Sequence, residues 1–501
     1  MKGFGTLDYV VVVVYLIAIA LVGSSFYKRK STAHEYFLGG RSMWWLPAGI
    51  SILAADLSAI TVMGTPAWHY GHNLELLINS LGYPLMAPIV ILVFVPFYAK
   101  LNLYTAYEYL EKRFDLNVRL VTSILFQVLR GMHVAIVIYA PSLVINLVTG
   151  LPVWQSILFM GLFTTLYTTL GGIKAVIWTD VIQFCTVTLG ILLIFGTALA
   201  EVPGGMTTAY HTALDAGRLK LLNFSLDPKE LTSFWACIIG GFVLCMAPLT
   251  TDQAILQRLF TTKSAADCRR SVIVQSVLVI PISLLLAFTG TALFVFYQAH
   301  PERLSGLTNT DAVMPFFAVR ELPAGVSGLI IACVFAASMA VMSAGINSLT
   351  TATTVDIYQR VLRPNESSEH YATAGRIGTV LWGLSMTLVS LSADRLGDLA
   401  LAYNRVASVI SGPLLGIFLL ATMTRRATSS GALIGAAFGA AIVGIVLFRT
   451  EWSFFYQGPI GVAVTFLGGW AASLLMPPPG ADKVQGLVIG AGEPGSTVPA
   501  A

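Results

Sequence analysis

Charge is what this sequence has least of. Asp, Glu, Lys and Arg make up 11% of its 501 residues, against about a quarter in a soluble globular domain whose surface must be wetted. With 56% of residues hydrophobic, that shortage excludes a soluble enzyme and a disordered chain alike, and leaves most of the surface facing lipid. Cysteine is scarce as well. The five, Cys185, Cys237, Cys245, Cys268 and Cys333, show neither metal-ligand spacing nor pairing and read as small buried hydrophobes. Also missing are a Walker loop, an HExxH or paired-Cys metal site and a nucleophile elbow. The net charge of +4 sits in loops and not in a basic groove, so no nucleic-acid partner is expected.

What is present is a series of apolar runs of about 20 residues, each long enough for a hydrocarbon layer of ~30 Å. Thirteen are expected: 7–27, 44–70, 74–98, 118–148, 152–170, 175–199, 233–255, 271–297, 324–354, 372–392, 398–421, 430–448 and 454–476. The first lacks a basic leader and is followed by Tyr27-Lys28-Arg29-Lys30, so it reads as an uncleaved span and not a signal peptide. Lys and Arg crowd one set of loops (Lys28, Arg29, Lys30, Lys100, Lys112, Arg113, Arg269, Arg270, Arg425 and Arg426 among them), while Lys2, Arg218, Lys220 and Arg395 are among the few on the other side. The expected topology is therefore a multi-pass cell-membrane protein, N-terminus outside and C-terminus cytoplasmic. From Pro477 the Pro/Gly/Ala-rich tail reads as disordered.

Two spans are interrupted at matching places five spans apart. The second carries Ala54-Ala55-Asp56-Leu57-Ser58-Ala59, and the seventh has Gly240-Gly241 followed by Pro248-Leu249-Thr250-Thr251-Asp252. Such interruptions are tolerated where unwound backbone lines a cavity, and paired ones point to an inverted repeat.

Four separated motifs then carry a resemblance: the stretch Tyr104 to Phe114, the stretch Thr169 to Gln183, Thr251-Asp252-Gln253 with Gln257-Arg258, and Ile346-Asn347-Ser348 with Asp356-Ile357-Tyr358. In order and placement they resemble the sodium:solute symporter family from about residue 8 to 476, nearest to its bacterial branch that takes sialic acid. The resemblance implies the leucine-transporter fold, an all-α integral membrane protein of 13 helices. Residues 1–43 would hold a leading helix and loop, 44–200 and 201–425 the two five-helix inverted repeats, 426–476 two trailing helices, and 477–501 the tail. It implies a secondary active transporter, no enzyme, with a small-molecule solute, a coupling cation and the bilayer as partners and no other cofactor.

Carried over by position, the family's sodium site would use the carbonyls of Ala54, Leu57 and Ala337, but its two hydroxyl positions fall on Ala340 and Val341. Neither offers oxygen to a hard cation. A second ion site described for some members would use Asp180 and Ser343, with its other serine replaced by Ala344. The coupling ion is thus open between H+ and Na+, the latter through a remodelled site.

Asp56 is the unusual residue, since a carboxylate inside a membrane helix costs roughly 2.5–3.5 kcal/mol on insertion scales. Three readings fit it: a structural ion pair with Arg405 or Arg130, a proton carrier replacing the lost sodium, or a counter-ion for a cationic solute. His133 falls where the sialic acid branch has an arginine for the substrate carboxylate, so sialic acid is not expected as solute. Arg130, one turn earlier, can approach the same face and keeps an anionic solute open. Ser58, Thr61, Asn79 and Ser80 complete the expected solute contacts; His69 and His72 read as interfacial side chains. A non-transporting solute sensor is the alternative from another class.

Overall fold

The computed structural model describes residues 5–28, 30–305, 307, 310–392 and 399–491; Lys2, Arg29 and Arg395, used above for orientation, and residues 492–501 lie outside them. Among the described residues the chain is all helix, its one β-bridge joining Met43 to Thr262. Ten helices are long and apolar enough to span a bilayer, or eleven if one bent pair counts as a span, against the thirteen expected. The difference has two sources. Val153–Ala200 is a continuous 48-residue element through both the fifth and sixth expected spans. Gln457–Leu474 opens on Gln457-Gly458-Pro459, which lowers its apolarity.

Inside the 48-residue element the two expected spans part at Gly172. Its φ of 59° and ψ of −155° belong to a region open essentially to glycine, and a Cβ there would lie 2.8 Å from the Tyr36 carbonyl oxygen.

Val326–Ala352 forms the centre. Nearly every one of its side chains is buried, which is why it is apolar on all faces, and it packs on Val153–Ala200 and Leu116–Thr149. Its start is capped from another helix: Asp8 Oδ1 accepts from the backbone N–H of Gly325 and of Gly328, each at 2.7 Å. The leading helix Thr6–Ser25 buries Tyr15, Leu16 and Ile19 against this core and leaves Val10, Val13, Val14, Ile17 and Leu21 exposed, an apolar face fit for lipid.

Glycine serves close packing at the third and seventh spans. Phe234–Thr251 runs unbroken through Gly240 and Gly241, so these are not the interruption expected of them. They admit a neighbour instead: a Cβ on Gly241 would lie 2.8 Å from the Asn79 carbonyl oxygen. Gly241→Ala is expected to destabilise the protein by about 1–3 kcal/mol, read as a lower thermal midpoint in detergent, because backbone cannot yield as a side chain can.

The quoted motifs meet as structural junctions. Arg258 and Asp180, both fully buried, pair at 2.8 Å, with Ser51 Oγ donating to the same carboxylate oxygen. Arg119 pairs with Asp356 at 2.7 Å and Glu111 at 2.8 Å, joining helix Ala106–Arg113 to the end of Val326–Leu362. Glu108 stands 3.8 Å from Arg119. Burial pushes its carboxyl up to about 7 despite the opposing pull of Arg119. Because the folded pKa lies above the ordinary 4.5, the protonated form favours folding. That contribution is complete below about pH 4.5 and lost as pH rises through about 7. Glu108→Gln is expected to remove it, flattening the loss of thermal stability between pH 5 and 8 by on the order of 2 kcal/mol.

The tail departs from expectation. Residues 477–491 fold back on this same end: Tyr109 Oη donates to the Leu487 carbonyl at 3.0 Å, the Ile489 N–H to Thr422 at 2.8 Å, and Val488 is buried. Composition suggested disorder, but these backbone groups find partners on a preformed surface.

Candidate functional site

Both interrupted spans break in the structure. The helix Trp45–Asp56 ends on Asp56, Leu57 leaves helical geometry at φ −82° and ψ 79°, and Ala59–Gly71 restarts at an angle of 64°. Ser58 makes the restart possible, since its hydroxyl accepts the Thr61 N–H at 3.3 Å as an N-cap. In the seventh span Pro248 precedes the break, and Asp252 ends Phe234–Thr251 while capping Gln253–Phe260, accepting the Ala254 N–H at 2.7 Å. Each break therefore carries an aspartate.

The two breaks face a cavity of about 310 Å³. Six of the seven expected solute residues line it: Asp56, Ser58, Thr61, Asn79, Arg130 and His133. Ser80 does not. Its hydroxyl donates to the Leu77 carbonyl at 2.7 Å, and it borders a neighbouring cavity of about 320 Å³ that shares Asp56, Thr61, Asn79 and Tyr83. His69 also borders that second cavity, with Nδ1 2.7 Å from the Asn73 carbonyl oxygen.

Asp56 accepts a hydrogen bond from the Tyr83 hydroxyl and has no basic partner among the described residues. Of the three readings of Asp56, the structural pair with Arg405 is not formed, because that guanidinium is exposed and stands over the Phe448 ring. Nor does Arg130 bond Asp56. Its Nη1 lies 3.6 Å from Asp252 Oδ2 and 3.3 Å from His133 Nδ1. Arginine only donates, so His133 Nδ1 accepts and the imidazole keeps its proton on Nε2. The ring is held flat on Tyr403, centroids 5.1 Å apart. Arg130 Nε and Nη2 are both buried without a partner, and a Cβ on Gly345 would lie 3.6 Å from Nε. The Nε–Nη2 edge is the side of a guanidinium that grips a carboxylate with two parallel hydrogen bonds.

Asp252, Tyr83 and Tyr403 also line this cavity and were not among the expected site residues. Asp252 is visible in the sequence as a polar interruption; its pairing with Arg130 is not.

Of the expected ion ligands, Ala54, Leu57 and Ala337 are buried, as are Ala340 and Val341, whose side chains carry no oxygen. Asp180 is held by Arg258 and Ser51, with Oδ1 unpartnered, and Ser343 Oγ donates to the Ala340 carbonyl at 3.0 Å.

A membrane chain with two discontinuous helices meeting at a polar cavity is built as a secondary transporter. The comparisons make this specific. The family model of the sodium:solute symporter family matches residues 36–439. The sodium/sialic acid symporter NanT of Aliivibrio fischeri is 34% identical over 476 residues, covering 94% of this chain and 93% of that protein. Human sodium-coupled monocarboxylate transporter 1 is 33% identical, covering 88% and 73%. A solved Na+-coupled sialic acid symporter, substrate-bound and outward-open, superposes with a TM-score of 0.88 at 31% identity, covering 95% of this chain and 99% of that one. The chain belongs to the sodium:solute symporter family; it is a cation-coupled symporter and not an enzyme.

Proposed function

We propose that the protein carries a small carboxylate-bearing solute together with a proton, Arg130 holding the carboxylate and Asp56 the proton. The observation behind this is that Arg130, with Nε and Nη2 buried and unpartnered, lines the same cavity as an aspartate whose one side-chain partner among the described residues is a tyrosine hydroxyl. Relatives named for sialic acid and for monocarboxylates make a carboxylate solute the natural class.

Charge balance supplies the coupling. With Asp56 deprotonated, the carboxylates of Asp56 and Asp252 and the one guanidinium give the empty cavity one net negative charge. A solute carboxylate arriving alone would double it. Arriving with a proton on Asp56, it leaves the net charge unchanged, so the doubly loaded cavity is no harder to rearrange than the empty one. Two like charges about 6 Å apart repel by roughly 3 kcal/mol at an effective dielectric constant of about 20, enough to disfavour unprotonated loading a hundredfold.

A sodium-coupled alternative draws on Ser338, whose hydroxyl is buried without a partner directly after Ala337. Uptake into proteoliposomes separates the two. Labelled monocarboxylates, with a primary amine as control, are offered under an acid-outside pH gradient without sodium, or under a sodium gradient at equal pH. Carboxylate uptake driven by the pH gradient is expected; uptake that needs sodium would overturn proton coupling, and preference for the amine would overturn the solute class.

A further inference from the structure

A third cavity, of about 240 Å³, lies at the end of the bundle that holds Lys100, Lys112 and Arg113, apart from the solute site. It is bounded by the turn Gly39–Arg41, the end of the span Glu75–Leu101, the helix Gln253–Phe260 and the first turn of Ala265–Ala299. Val90, Phe94, Val95, Leu259 and Phe260 give it an apolar wall, and Arg41, Asn102, Thr262, Lys263 and Ser264 supply polar lining.

Three observations mark it as built for a ligand. Arg41 and Asn102, with φ of 49° and 50°, are the two non-glycine residues in the left-handed region among the described residues, and both line this cavity. Backbone strain of that kind persists where surrounding structure enforces it. The enforcing contacts are visible: Arg41 Nη1 donates to Asn102 Oδ1, Nη2 to the Leu103 carbonyl at 3.4 Å, and the Met43 N–H to the Thr261 carbonyl at 3.0 Å. Second, Arg41 Nε is buried with no partner. Third, neither Arg41 nor Lys263 is paired with a carboxylate among the described residues. The nearest acid in sequence, Asp267, takes the Ser264 hydroxyl at 3.1 Å and lies 3.6 Å from Arg270.

We infer that this cavity binds an anionic phospholipid of the adjoining leaflet, its phosphate between Arg41 and Lys263 and an acyl chain along Val90, Phe94 and Val95. The span that supplies those apolar residues also exposes Leu85, Ile89 and Leu92, so the bilayer lies against its outer face. A basic pocket between spans on the cytoplasmic side, where charge bias places this end, meets the leaflet richest in anionic lipid. An apolar wall beneath two cations fits a lipid better than a free phosphate, which would have no use for the wall.

The test uses the full chain in detergent, titrated with phosphatidylglycerol, phosphatidylcholine, or inorganic phosphate. Phosphatidylglycerol is expected to raise the thermal midpoint by about 5 °C, as a ligand specific to the native state does, and to remain attached in native mass spectrometry, with neither of the others doing so. Lys263→Gln, at an exposed position, should cut the shift at least by half, and Arg41→Gln with Lys263→Gln should abolish it. Arg425→Gln, a charge removed elsewhere on the same end, should leave it unchanged. An equal shift with phosphatidylcholine, an equal shift with inorganic phosphate, or a phosphatidylglycerol shift that survives Lys263→Gln at full size would each overturn the assignment.

Discussion

Asp56→Asn is expected to abolish accumulation of solute against a gradient while leaving solute binding and exchange intact. Asparagine keeps the size of the side chain and can still meet the Tyr83 hydroxyl, but it holds the neutral state permanently. The cavity then carries the same net charge with solute bound as the native protein does when protonated, so solute should bind and cross with no proton to carry. Two readouts distinguish this from simple damage. Exchange of labelled for unlabelled solute across the membrane should persist within a few-fold of wild type, while uphill uptake driven by a pH gradient should be lost. The affinity of the native protein should weaken as pH rises, and that of the variant should be flat. Loss of both exchange and uptake in a well-folded Asp56→Asn protein would count against the proton-carrier role and in favour of a purely structural carboxylate.

Substitution of Arg130 has the second large expected effect, and on affinity instead of coupling. Arg130→Gln removes the free Nε–Nη2 edge and leaves a solute carboxylate without its charged partner, a loss of about 2–5 kcal/mol for a buried hydrogen-bonded pair. Solute affinity should therefore fall between thirtyfold and a thousandfold or more. Arg130→Lys is the sharper probe, because it keeps the charge that steadies Asp252 but has no planar fork. It should fold as wild type and still bind at least tenfold more weakly. If Arg130→Lys binds carboxylates as the native protein does, Arg130 serves Asp252 alone.

How much of this was legible in the sequence follows from what periodicity and composition can encode. Apolar run length locates helices because each must satisfy its own backbone in lipid, and every expected span falls on a helix in the structure. Run length does not say where a continuous helix stops being one span. Gly172 does that through a backbone conformation, and the Gly171-Gly172 pair in the sequence gives no hint of which residue turns. Gly240-Gly241 shows the converse: the same residue type, read as an interruption, serves a close helix contact against Asn79 instead. At the site, Asp56 and Arg130 stood out because charge is expensive inside a membrane. Asp252 gives no such signal, since an aspartate after Pro248 reads equally well as a cap, which it also is. Tyr83 and Tyr403 carried no signal at all. An aromatic in an apolar span is ordinarily packing, and only the fold shows that one meets Asp56 and the other stacks on His133. The tail misled for a related reason, because its partners Tyr109 and Thr422 lie far away in the chain.

The most direct test of the central claim is proton movement itself. Proteoliposomes containing the protein and a luminal pH dye, in sodium-free buffer with equal pH on both sides, receive a monocarboxylate whose acid form does not cross the bilayer unaided. Wild type should acidify the lumen at one proton per solute, and Asp56→Asn should take up solute with no pH change. Solute entry into wild-type vesicles without acidification, or only after sodium is added, would contradict the account.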